Sequence, residues 1–176
     1  MYQAKQERMR VQKRSGEYEE VSFDKILNRI KALSQGSEFN QKLDIDETII
    51  AQKVIQQVHD GVKTSELDEL ASQTAIAMYS KNPDFKVLAS RIVVSNHHKN
   101  TLNTFSDKIQ LMYDYELNGK NKPLIADYLY ELVMCHKKKI DTAIDYSKDY
   151  DFDFFGHKTL EKSYLYRLGK DIIERP

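Results

Sequence analysis

The chain has a single cysteine, Cys135, which excludes an internal disulfide and any cysteine-based zinc site. It has no tryptophan, three prolines and six glycines in 176 residues, with no internal repeat and no low-complexity tract. It also lacks an excess of either charge: 27 basic and 27 acidic residues leave a formal net charge of zero. A protein that gripped nucleic acid mainly through phosphates would carry a basic surplus. No run approaches the roughly 18 apolar residues of a membrane span, and Met1 to Lys13 offers no apolar stretch for a secretory signal. Catalytic constellations are missing as well. There is no phosphate-cradling G-x-x-x-x-G-K-[ST] loop, no G-x-G-x-x-G, no cysteine pair and no Ser/His/Asp set. What is present is a 40% hydrophobic fraction, enough for a core. These balances point to a soluble, cytoplasmic chain with neither a DNA nor a membrane partner.

Glycine and proline divide the sequence. Residues 1–10 read as a polar leader. Val11-Gln12-Lys13, the turn Arg14-Ser15-Gly16-Glu17 and Tyr18 to Ser22 read as a hairpin, since Gly16 can take positive φ. A helix from about Asp24 carries Ile26, Leu27, Ile30 and Leu33 on one face, with Gly36 placed as its C-cap. A second helix is expected from Glu47 to His59, stopped by Gly61. Thr64 or Ser65 can cap a third, with Ser65 and Asp68 near capping-box spacing. Pro83 restarts the chain into a fourth helix that ends near Lys99. A soft boundary falls near residue 100. Eight of the eleven tyrosines lie beyond position 112, so the second half builds its core differently. Helices are expected there after Ser106, stopping at Gly119, and after Pro123, with Cys135 as a packing residue. The terminal Ile172-Ile173-Glu174-Arg175-Pro176 reads as an interruption, not a natural stop.

Chemistry could sit at the hairpin. Lys13 and Arg14 stand at the mouth of a turn, close in sequence to Glu19 and Lys25. A hairpin feeding a helix N-terminus offers phosphates both cationic side chains and outward N–H groups. On the residues alone, a solvated hairpin with ordinary surface charge is the stronger reading. Lys63 to Asp68 reads first as a helix cap, and more sharply as placing Asp68 one turn in to receive a sugar hydroxyl. The adjacent His97 and His98 project about 100° apart on a helix and make a poor metal pair. Lys137-Lys138-Lys139 reads as a solvated helix face or end.

Three segments in order resemble a known domain. Val11-Gln12-Lys13-Arg14-Ser15-Gly16 with Glu19, Val21, Phe23, Asp24, Lys25 and Ile26 is similar to the opening of an ATP cone. Gly61-Val62-Lys63-Thr64-Ser65-Glu66-Leu67-Asp68 is similar to its second signature. Pro83-Asp84-Phe85 through Leu88-Ala89-Ser90-Arg91 to Asn96-His97-His98-Lys99 is similar to its third. Phe155 to Leu165 resembles the entry into the reductase domain that follows in class I ribonucleotide reductase large subunits of the eukaryotic and viral type. The resemblance implies a mainly α fold: a four-helix ATP cone capped by a small β-hairpin or sheet over residues 11–100, then the helical start of the reductase domain over 101–176.

It also implies function. ATP as activator and dATP as inhibitor, with Mg2+, would compete for one pocket as an overall-activity switch in deoxyribonucleotide synthesis. Lys13, Arg14, Lys25 and Lys99 would hold phosphates, Glu19 would contact adenine, Val21 would pack on the base, and Thr64 and Asp68 would lie by base and sugar. Ser15 departs from the family's usual Asp, and His97 from a more usual apolar residue. Other large subunits and the small radical-generating subunit would be partners. The family's catalytic cysteines lie beyond the last residue here, so no catalytic or metal-binding residue is expected and the chain alone should be inactive. Two rivals remain at this point: a nucleotide-sensing transcription regulator, disfavoured by the absence of C-x-x-C and of basic excess, and a helical interaction module with a decayed nucleotide site.

Overall fold

A computed structural model describes residues 9–36, 39 and 41–176. It divides into two compact units. The first holds the described residues as far as Asn96 together with Phe152–Lys158, and the second holds His97–Asp151 and Thr159–Pro176. No helix among the described residues is long and apolar enough to cross a membrane.

The first unit opens with strands β1 (Arg10–Gln12) and β2 (Tyr18–Glu20), paired antiparallel with Val11 opposite Glu19. In the connecting turn the Lys13 N–H donates to the Glu17 carbonyl at 2.8 Å and the Gly16 N–H to the Lys13 carbonyl at 2.9 Å. Gly16 sits at φ +87°, a left-handed conformation that strains any side chain with a Cβ. Helix α1 (Phe23–Gln35) follows, its Ser22 hydroxyl accepting from the Lys25 N–H. Helix α2 (Glu47–Ile55) is capped by Asp46 and ends four residues earlier than its spacing predicts; Gln56 to Val58 close the end with turn hydrogen bonds. Strand β3 (Val62–Lys63) then pairs parallel to β1, Val11 with Val62 and Gln12 with Lys63, giving the sheet order β2-β1-β3. Helices α3 (Thr64–Ala77) and α4 (Asp84–Asn100) complete a four-helix, sheet-capped architecture. Of the face expected on α1, Ile30 and Leu33 are buried while Ile26 and Leu27 are half-buried; the core is completed by Ile50 and Val54 on α2, Leu67, Ala71 and Ala75 on α3, and Phe85, Leu88, Ala89, Ile92 and Val93 on α4.

Two caps differ from expectation. Lys63 is the N-cap residue of α3, and the Glu66 carboxylate, not that of Asp68, reaches back to its N–H at 3.4 Å. Asp68 is drawn elsewhere by cations. At the other end of α1, Gly36 lies at φ −58° and makes no left-handed cap. Arg91 of α4 instead donates to the carbonyls of Leu33 and Ser34 at 3.0 and 3.4 Å, and to that of Gln41 at 2.8 Å.

The buried Glu47 ties α2 to α1, accepting from the Ser34 hydroxyl at 2.5 Å and from the Gln35 amide. Burial pushes its pKa up. The hydrogen bonds from Ser34 and Gln35, with the Lys31 charge, outweigh that and hold it below its ordinary value of 4.5. A carboxylate depressed in the folded state adds stability above its unfolded pKa and loses it as pH falls through the lowered value. The urea midpoint is therefore expected to drop on acidification from about pH 5 downward, through the lowered pKa. Glu47→Gln should lower stability at pH 7 and flatten that drop; an unchanged pH profile would remove Glu47 from it.

The second unit contains α5 (Phe105–Tyr113), a hairpin of β4 (Glu116–Leu117) and β5 (Lys120–Asn121), α6 (Asp127–Cys135), α7 (Lys137–Ala143) and a 3-10 turn at Tyr146–Asp151. Helix α8 (Phe154–Ser163) begins in the first unit and ends in the second, which closes with a hairpin of β6 (Arg167–Leu168) and β7 (Asp171–Ile172). Gly119 is part of a turn, with Asn118 and Gly119 at φ 55° and 71°, not simply a helix stop. Cys135, expected in the packing, is exposed. Among the described residues of this unit, the buried apolar side chains are Ile109, Val133 and Ile173. Polar ties supplement them: Asp141 accepts from the Ser106 N–H and hydroxyl at 3.0 and 2.6 Å, and Tyr113 stacks on Tyr130 at 3.9 Å.

Candidate functional site

The parallel pairing of β1 with β3 decides what meets what. It sets Gln12 beside Lys63, so the hairpin turn after β1 and the first turn of α3 face one another. Between them lies a cavity of about 220 Å³ lined by Gln12, Lys13, Arg14, Gly16, Lys63, Thr64 and Ser65. Three of these seven residues are cations and none is an acid. A chain of zero net charge has thus gathered a local positive surface at the N-terminus of a 14-residue helix, where the dipole and free N–H groups also favour an anion. The cavity is smaller than the roughly 300–1,000 Å³ of pockets that enclose a drug-sized ligand. Its size and charge suit the phosphate end of a larger molecule.

Acids stand behind the cations. Lys13 meets Glu19 at 2.7 Å, and Lys25 also pairs with Glu19. Arg14 donates to the Thr64 hydroxyl at 3.4 Å, to Asp68 Oδ2 at 3.4 Å and to Asn96 Oδ1. Asn96 in turn donates to the Ser65 carbonyl at 3.2 Å. Asp68 is buried, and its second cation is Arg29 of α1, whose Nε and Nη2 reach both carboxylate oxygens at 3.2 and 3.4 Å. Arg29 also donates to the Ser95 hydroxyl at 2.8 Å.

Of the residues singled out in the sequence, Lys13, Arg14 and Thr64 line the cavity, Glu19 and Lys25 join it through Lys13, and Asp68 joins it through Arg14. Val21 is half-buried just past β2, outside the lining, with its N–H on the Met9 carbonyl at 3.0 Å. Lys99 lies in the last turn of α4, in the second unit, and lines a separate cavity there with Thr101, Leu111 and Ile172. Sequence reasoning missed Lys63, Ser65, Arg29 and Asn96 as site residues. Lys63 and Ser65 lay inside the second signature. Arg29 had one signal: it is four residues after Lys25, hence on the same face of α1.

Residues 9–100 match the family described as the ATP cone domain. The chain is 46% identical over 178 residues to the ribonucleoside-diphosphate reductase large subunit of Dictyostelium discoideum, covering 98% of this chain and 20% of that protein. It is 46% identical over 170 residues to the corresponding large chain of Schizosaccharomyces pombe, covering 96% and 21%. With the large subunit of Arabidopsis thaliana it shares 46% over 171 residues, covering 96% and 20%. The chain therefore spans about a fifth of the length of these relatives.

Proposed function

The chain belongs to the ATP-cone family, and from that premise we propose that it is the nucleotide-responsive regulatory part of a cytoplasmic ribonucleoside-diphosphate reductase large subunit. The observation that carries this reading is the acid-free cavity at the meeting of hairpin and helix, lined by Lys13, Arg14 and Lys63. Phosphates of ATP or dATP enter it, received by the two lysines, by Arg14 and by the first turn of α3. Glu19, held by Lys13 and Lys25, faces the adenine, and Thr64 and Asp68 face the sugar. Val21 and Lys99 enter the proposal on the sequence resemblance alone.

A protein-bound Mg2+ does not fit the lining. Such sites take one or two carboxylates, whereas none lines the cavity, and Glu19 and Asp68 are each engaged by two cations. An accompanying Mg2+ would be carried by the phosphates alone, and no step depends on it.

The two effectors differ by the 2′-hydroxyl. A ligand shifts a conformational equilibrium only by its differential affinity for the two states, commonly about 1–3 kcal/mol of coupling. In this proposal the readout is the arrangement of large subunits with one another and with the small radical-generating subunit, and the catalytic chemistry belongs to the whole protein. Nucleotide binding by the chain itself is directly testable. At a hundredfold its Kd a ligand adds about 2.7 kcal/mol to unfolding free energy. ATP and dATP are each expected to raise the thermal midpoint by several degrees, with adenosine giving little or no rise. Equal midpoints with and without triphosphate would exclude the reading and favour the decayed-site alternative.

A further inference from the structure

Asp68 is held by two guanidinium groups in unequal ways. Arg14 is divided among acceptors on Thr64, Asp68 and Asn96, reaches Asp68 at Oδ2, and lines the cavity. Arg29 meets Asp68 side on, Nε to Oδ1 and Nη2 to Oδ2, and lies outside the lining. A paired contact of this kind fixes the plane of a carboxylate, which a single contact does not. Arg29 is itself located by the Ser95 hydroxyl of α4 at 2.8 Å. A phosphate in the cavity competes for Arg14, because a charged oxygen is a stronger acceptor than the hydroxyl of Thr64 or the amide of Asn96. The Arg29 fork is not part of the lining and is turned toward Asp68 and Ser95.

We propose that Arg29 is the positioning residue for sugar discrimination: by gripping both oxygens of Asp68 from behind the cavity, it fixes the direction in which that carboxylate accepts a ribose hydroxyl, whatever Arg14 does at the phosphates. Oδ1 accepts from Arg29 Nε, and an ionised carboxylate has about four acceptor positions in all, so a hydroxyl can be accepted there without displacing the fork. The inference rests on the nucleotide reading above and deepens it, dividing the site into a phosphate part (Lys13, Arg14, Lys63) and a sugar part organised by α1 and α4.

The test is calorimetric titration of the 176-residue chain with ATP and with dATP, comparing unaltered protein with Arg29→Lys and Ser95→Ala. Arg29→Lys keeps the charge and removes the fork. Ser95→Ala loosens Arg29 without touching Asp68 and serves if the lysine variant fails to fold. The ratio of the two dissociation constants is expected to move toward one by about fivefold in Arg29→Lys, the scale of one hydrogen bond, and in the same direction by less in Ser95→Ala. ATP and dATP differ only in the sugar, so a purely structural loss would weaken both in parallel. Parallel weakening, an unaltered ratio, or equal affinities in the unaltered protein overturns the role of Arg29 alone. Failure of the unaltered protein to bind either nucleotide overturns the underlying nucleotide reading, and this inference with it.

Discussion

Lys13→Ala is expected to weaken ATP and dATP binding by about 10–100-fold, the cost of a lost charge-assisted hydrogen bond in a partly dehydrated site. Lys13 lines the cavity and half its side chain is exposed to the incoming ligand. Its partner Glu19 keeps Lys25, so the variant leaves no isolated carboxylate, and an exposed pair of this kind contributes little to folding. The loss should therefore appear in affinity with a nearly unchanged urea midpoint. Raising the salt concentration should weaken binding to the unaltered protein more steeply than to the variant, because one charge fewer is being screened. An affinity within twofold of the unaltered protein would remove Lys13 from the site.

Arg91→Ala is expected to do the reverse, destabilising the fold by about 3 kcal/mol or more. Arg91 is buried, donates to the carbonyls of Leu33, Ser34 and Gln41, and lays its guanidinium 4.1 Å from the Phe39 ring centroid. Removing it leaves the last carbonyls of α1 without their charged donor and strips the aliphatic stem from the helix interface. The denaturation midpoint should fall sharply. Arg91 is not among the cavity residues, so nucleotide affinity measured well below the new midpoint should be close to normal. A midpoint unchanged within error would show that α1 ends without help from α4.

These two residues illustrate what could be read in advance and what could not. The position of Lys13 at a turn was legible because a basic pair beside a glycine is a local pattern, but the residues alone favoured ordinary surface charge, and only the resemblance to a known signature singled it out. Arg91 lay in a recognised segment, but its role is to close a helix end 57 or 58 residues earlier in the chain, and no local spacing reports that. Gly36 drew attention as a C-cap because glycine often serves there, while the backbone took an extended conformation and the last carbonyls are met by Arg91 and, at Ser34, also by the Leu43 N–H at 3.0 Å. The same holds for the site. Thr64 and Asp68 sit in a compact motif, whereas the contacts that organise them span 39 residues to Arg29 and, from Arg14, 82 to Asn96. Strand β3 has only two residues, too short for any alternation, yet its register with β1 is what creates the cavity. The apolar face of α1 was readable, because burial imposes a 3.6-residue period on a helix packed on one side, though only Ile30 and Leu33 of it are buried and Ile26 and Leu27 are half-buried.

The central claim is that an adenine nucleotide triphosphate binds where the hairpin turn meets the start of α3. Amide chemical-shift mapping of the chain during an ATP titration tests it most directly. The account predicts that the largest, saturable shifts fall on Gln12, Lys13, Arg14, Gly16, Lys63, Thr64 and Ser65, and that Lys13→Ala suppresses them together. Saturable shifts centred on another surface, with these seven amides unmoved, would contradict it.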